Sequence, residues 1–155
     1  MKKVIGRSAV ALGLALAGSS LGQAQASKSA TVTYLPADKV AAAFAKGMPL
    51  VEVESYKVHA SRREASGQAE VHAKDTDIIY VLTGTATFVT GGTVVDGKNI
   101  EAEEIRGASI EGGETREIRP GDVIIVPNGT PHWFKEVPAP MTYYVVKVRA
   151  AGGAR

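Results

Sequence analysis

The chain has 155 residues, with 18 basic against 16 acidic side chains and no cysteine. That length suits one domain with a real core rather than two. The missing cysteines exclude disulfides and thiol nucleophiles, and no basic stripe is present of the kind that binds nucleic acid.

The N-terminus carries its own signal. Lys2, Lys3 and Arg7 make a basic start, Val10 to Leu21 is apolar and small, and Ala24-Gln25-Ala26 is a small-x-small cleavage site. This is the layout of a secretory signal peptide over residues 1–26. Its apolar run, about a dozen residues, is too short to span a bilayer comfortably. The expected destination is the periplasm or the exterior of a bacterium, with no stable membrane insertion after cleavage. Removing the three basic residues leaves a slightly acidic mature chain, so the basic pI belongs to the export signal.

Residues 27–49 form an expected arm and short helix. Residues 27–33 are small and polar, an arm or a first edge strand. Pro36 to Gly47 has a helix grammar, with proline in the first turn, alanines in the middle and glycine at the end. Val40, Ala43 and Phe44 share one face, which suits a cap over a barrel mouth.

Residues 50–150 read as one β-domain. Val51 and Val53, then Tyr56 and Val58, alternate with polar residues, and Gln68 to Ala73 is short and polar. Ile78 to Leu82 is a continuous apolar run, as expected of a strand buried on both sides. Thr83-Gly84 turns it toward a hairpin partner at Thr85 to Thr90. Gly91 to Gly113 holds two glycine pairs, the acids Glu101, Glu103 and Glu104, and a short hairpin pattern at Ile105 to Ile110; it reads as a solvated excursion, with a ligand lid as the alternative. Thr115 to Arg119, Val123 to Val126, Thr130 to Lys135 and Thr142 to Arg149 supply further strands. Gly and Pro recur at intervals of roughly ten residues, which favours a sandwich or barrel.

Gly121 to His132 is the most informative stretch: a short buried strand, a tight Pro/Gly turn and a histidine delivered just after it. His72 lies upstream, with Asp77 at the start of the apolar run. Two imidazoles and a carboxylate bind a metal if a barrel folds them together. Glu70, His72 and Lys74 share one strand face by period two. A protonated Lys74 has no lone pair for a metal; pointed inward it pairs with Asp77, attracts an anionic substrate group, or replaces a metal electrostatically, and pointed outward it is an ordinary solvated lysine. Tyr80 and Trp133 are core aromatics and candidates to line a pocket. His59 is a weaker ligand candidate, and Arg62-Arg63 reads as a solvated strand end. For Lys147, which alternates with Val145 and Arg149, interior and surface are both open. No P-loop, dinucleotide fingerprint or nucleophile elbow is present.

These residues resemble the cupin family. Its second motif is matched by Gly121, Pro127, Gly129 and His132 at the family's spacing, with Glu136 where asparagine is usual. In its first motif a carboxylate precedes a glycine by seven residues, as Asp77 precedes Gly84. The His-x-His pair of that motif is degraded. Either His72 is its first member and Lys74 replaces the second, or His72 is the second and Glu70 replaces the first; spacing to Asp77 favours the latter. The resemblance covers roughly residues 50–148. It implies an all-β double-stranded β-helix, or jelly-roll barrel, preceded by one short helix. It further implies one divalent metal, iron, manganese or zinc, held by His72, Asp77 and His132 with Glu70 as a fourth ligand. Lys74, Tyr80 and Trp133 are then expected to face a small-molecule ligand. Oxygenase, isomerase and lyase chemistries all occur on this fold, so the fold does not choose among them, nor between an enzyme and a non-catalytic ligand-binding or sensor module. Exposed jelly-roll edges make a homodimer the expected assembly.

Overall fold

The computed structural model describes residues 31–150. The expected signal peptide lies outside the described residues. From Tyr34 onward the chain is one compact unit.

Its first element is helix α1 (Ala37–Lys46), entered from an extended Pro36 and closed by Gly47 in the left-handed conformation, whose N–H bonds to the Ala43 carbonyl. Asp38 in the first turn and Lys46 in the last oppose the helix dipole favourably. Thirteen strands follow among the described residues. One sheet contains β1 (Met48–Glu52), β2 (Tyr56–Arg63), β13 (Met141–Arg149), β4 (Asp75–Thr83) and β11 (Val123–Val126), in that order. The other contains β10 (Glu114–Ile118), β5 (Ala86–Thr90), β12 (His132–Glu136), β3 (Ala69–His72), β8 (Glu104–Gly107) and β7 (Lys98–Glu101). A small ribbon pairs β6 (Thr93–Val95) with β9 (Ser109–Glu111). All pairings are antiparallel. The result is the all-β jelly roll with one N-terminal helix that the cupin resemblance implied.

The two sheets enclose the core. Ile79 and Val81 from β4, Phe88 from β5, Ile118 from β10, Val126 from β11, Phe134 from β12 and Met141, Tyr143 and Val145 from β13 pack in one cluster. Phe134 meets Phe88 edge-on at 4.7 Å and stacks on Tyr143 at 5.2 Å. Burying such side chains stabilises the domain by about 1.5–3 kcal/mol each. This core fills one part of the sandwich, and the polar site described below fills another.

Four local expectations are corrected. First, β5 is not the hairpin partner of β4. Both edges of β4 are already taken, by β13 and β11, so Gly84 carries the chain across to the opposite sheet. Gly84 has φ +76, and a Cβ there would lie 2.6 Å from that of Met141. Second, the apolar run in β4 is not buried on both sides: Asp77, Ile79 and Val81 point inward, while Tyr80 is 44 % exposed on the outer face. Third, α1 does not cap a mouth. Phe44 packs edge-on against Tyr144, which alternates with the inward Tyr143 and Val145, so the helix covers the outside of the first sheet. Fourth, Ile105 to Ile110 is not a hairpin. β8 pairs with β3 and β7 while β9 pairs with β6, so the Gly-rich excursion extends the sheet that carries His72.

Candidate metal centre

The site rests on two cross-strand pairs that face each other across the sandwich. In one sheet Glu70 on β3 stands opposite His132 on β12, and His72 follows Glu70 on the same face. In the other, Asp77 on β4 stands opposite Lys147 on β13. Neighbouring positions in a ladder bring Cβ atoms within about 5 Å, so register alone sets these contacts.

The turn after β11 fixes the approach of His132. Thr130 N–H bonds to the Pro127 carbonyl, with Gly129 at φ +77 between them, a positive-φ position that turns of this kind require. The same turn is stitched to β3 and its exit: Gly129 N–H donates to the His72 carbonyl at 2.8 Å, and the Asn128 amide donates to the Ala73 carbonyl at 3.2 Å. The backbone thereby ties the two histidine-bearing segments together, and the rings lie 5.1 Å apart.

The donor atoms converge. Glu70, His72 and His132 offer ligand atoms that all lie within 4.8 Å of one another. Asp77 Oδ2 is 3.6 Å from His72 Nε2 and 3.8 Å from His132 Nε2. Asp77 and His132 are each only 4 % exposed. The His132 Nδ1 is 3.2 Å from the Thr130 carbonyl; as donor there, it leaves the Nε2 lone pair facing the site. Burial holds this imidazole below its ordinary pKa, against the opposing pull of Asp77, so the neutral form is favoured. Separations of this size suit ligands around one ion at bond lengths of about 2.0–2.2 Å. Two imidazoles and two carboxylates therefore fit a divalent first-row metal.

A cation from the chain itself already engages this centre. Lys147 Nζ donates to His72 Nε2 at 2.8 Å and to both oxygens of Asp77, at 2.9 and 2.7 Å. The sequence left Lys147 undecided between interior and surface. The signal that places it is parity: Met141, Tyr143, Val145 and Lys147 alternate along β13 on the inward face.

Beside the centre lies a cavity of about 170 Å³ lined chiefly by β2, β3, β4, β12 and β13, with Arg106 from β8. Arg63 enters it, donating from Nε to the Tyr143 hydroxyl at 3.0 Å, stacking on Phe134 at 4.2 Å and approaching Glu70 at 3.6 Å. Burial pushes the Tyr143 hydroxyl above its usual pKa, so it stays protonated. Arg63 is thus an interior residue rather than a solvated strand end, sharing its face with His59 and Ser61 by period two. Arg62 points the other way, to Glu64. His59 lines the same cavity and meets Glu52 at 3.0 Å.

Three expected contacts lie elsewhere. Lys74 is on the rim, 2.7 Å from Glu103, which is also paired with Arg149; Glu70, not Lys74, takes the inward position. Tyr80 faces outward, opposite Val123. Trp133 points away from the inward His132 and Phe134, and donates from Nε1 to the Gly67 carbonyl at 2.7 Å. Both aromatics fail as pocket residues for one reason: each occupies the odd register beside an inward neighbour. Glu136 accepts from the Thr87 hydroxyl at 3.1 Å at the end of β12.

Known proteins agree with this architecture. The family model described as Cupin matches residues 26–152. None of the curated proteins matches. Among solved structures, protein BH2720 of Bacillus halodurans superposes with a TM-score of 0.52 at 14 % identity, over 75 % of this chain and 79 % of that one. Hydroquinone 1,2-dioxygenase of Sphingomonas sp. TTNP3, with 4-hydroxybenzoate bound, gives 0.52 at 14 % identity, over 68 % and 66 %. A double-stranded β-helix cupin of Methanocaldococcus jannaschii gives 0.47 at 13 % identity, over 66 % and 78 %. At these identities the two structures at 0.52 speak for the fold alone, and the one at 0.47 carries no weight in the assignment. The motif residues, the jelly-roll topology and a family match spanning the described domain together establish that this chain belongs to the cupin family.

Proposed function

We propose that this protein is an exported cupin that binds one divalent metal through His72, His132 and Glu70, with Asp77 as a further ligand, and takes a small molecule into the adjoining cavity. The observation that carries the metal reading is the convergence of both imidazoles and the Asp77 carboxylate, 3.6 and 3.8 Å apart, in a buried hollow. Iron, manganese and zinc all suit this donor set.

A bound divalent ion supplies Lewis-acid polarisation of a ligand oxygen. The chain's own residues do the rest. Arg63, Arg106 and Lys147 outnumber Glu70 and Asp77 along the cavity wall, so the lining favours a small anion such as a carboxylate. Arg63, held by Tyr143 and Phe134, offers a fixed guanidinium to orient it. A dioxygenase on the same fold makes oxygenase chemistry one candidate, beside isomerase and lyase reactions.

A second reading, a non-catalytic binder of small anions, is favoured by a specific observation, the Lys147 ammonium at the centre. Metal content of the purified protein separates the two. Stoichiometric first-row metal that disappears in His132→Ala supports the metal centre. A folded wild type that takes up no metal when dialysed against manganese, iron(II) or zinc overturns it in favour of the second reading.

Export is tested independently. N-terminal sequencing of protein recovered outside the cytoplasm should begin at Ser27, and protein retained in the cytoplasm with Met1 intact would refute it.

A further inference from the structure

Lys147 is the one cation within hydrogen-bond distance of the candidate ligands His72 and Asp77 among the described residues. Its position on β13 is fixed from both sides, since Lys147 pairs with Asp77 on β4 and with Lys57 on β2. The ammonium makes three short contacts, one to His72 Nε2 and a pair to the two oxygens of the Asp77 carboxylate. Around it stand His72, Asp77, His132 and Glu70, the set that would hold a divalent ion.

We propose that Lys147 is a built-in cation that competes with the metal for the same donors and so sets whether the site is loaded. The inference rests on the metal reading above. An ion bound to His72 Nε2 and Asp77 at about 2.0–2.2 Å would share its space with the lysine's positive charge, so the side chain must leave before the ion binds. The cavity offers it somewhere to go: Lys147 lines the same 170 Å³ space as His59, Ser61 and Tyr143. In the metal-free protein the ammonium neutralises Asp77 and holds the Nε2 lone pair of His72, which keeps the empty centre folded. A domain of this kind is stable without its ion and loads only when the ion outcompetes an internal charge.

The test compares wild type with Lys147→Met, each stripped with a chelator and titrated with manganese and with zinc. Calorimetry should give a dissociation constant about tenfold or more tighter for Lys147→Met, because no cation has to be displaced. Metal-free Lys147→Met should melt below metal-free wild type, and added metal should raise its melting temperature by more than it raises that of wild type. Should Lys147→Met fold too poorly to titrate, Asp77→Asn is compared with Asp77→Asn/Lys147→Met, in which no buried carboxylate is left unpaired; the double variant should then bind more tightly. Equal or weaker affinity on losing the lysine overturns the competition while leaving the metal centre standing. Metal binding in none of the four proteins overturns both.

Discussion

At the scale of single residues the site is a balance of buried charges, and His132 shows how it responds to acid. Burial keeps its imidazole below the ordinary value of 6.5. The unfolded chain therefore takes up a proton as the pH falls through that value, while the folded, metal-free protein does so only at lower pH. Stability is fully present above about 6.5 and declines as the pH drops from there toward the folded value. Urea midpoints of chelator-treated protein, measured on either side of 6.5, should show this loss, and His132→Gln should flatten its contribution. The sequence made His72, His132 and Asp77 legible because motif spacing and strand parity survive folding unchanged. Lys147 was harder to read. A lysine between Val145 and Arg149 satisfies both a solvated and an interior face, and only the register that sets it opposite Asp77 decides. The sequence offers Lys74 as the partner of Asp77, whereas the structure pairs Lys74 with Glu103 and Lys147 with Asp77.

Among the elements, the turn between β11 and β12 carries the most consequence. Its hydrogen bonds reach the His72 and Ala73 carbonyls, so it sets the spacing of the two imidazoles. A Cβ at Gly129 would meet nothing within 4 Å, which leaves the positive φ of +77 as the whole cost of a side chain. Gly129→Ala should therefore lower stability by about 1 kcal/mol. If the turn positions His132, the same variant should bind metal more weakly than wild type; unchanged affinity would show that β12 alone places the ring. Strand bounds are legible from apolar runs and turn residues: Val123 to Val126 has the expected bounds, and the helix begins one residue after Pro36; the expected burial of that strand is corrected, since Val123 and Ile125 face outward on an edge strand. Sheet membership was not legible. Whether β4 turns back on itself or sends its successor to the opposite sheet depends on which partners take its edges, and those partners lie more than forty residues downstream.

Over the whole molecule, the outer face of the first sheet is unevenly covered. Helix α1 shields Tyr144, whereas Tyr80, Val123 and Ile125 remain 44, 60 and 62 % exposed over β4 and the edge strand β11. An apolar patch beside an unpaired edge suits self-association about a two-fold axis, consistent with the proposed homodimer. Light scattering should give twice the chain mass for wild type and a single chain mass for Ile125→Lys, with the circular dichroism spectrum unchanged. A wild type that runs at single-chain mass would remove the dimer.

The groups that meet at the centre come from opposite ends of the domain: Lys147 is separated by 75 residues from His72 and by 70 from Asp77. Glu70, His72 and Asp77 lie within one short segment, but His132 and Lys147 must be brought to them from far along the chain. The pocket exists only after β13, the last strand, has slotted between β2 and β4. An ion held as proposed would therefore be acquired by the folded domain rather than by the extended chain.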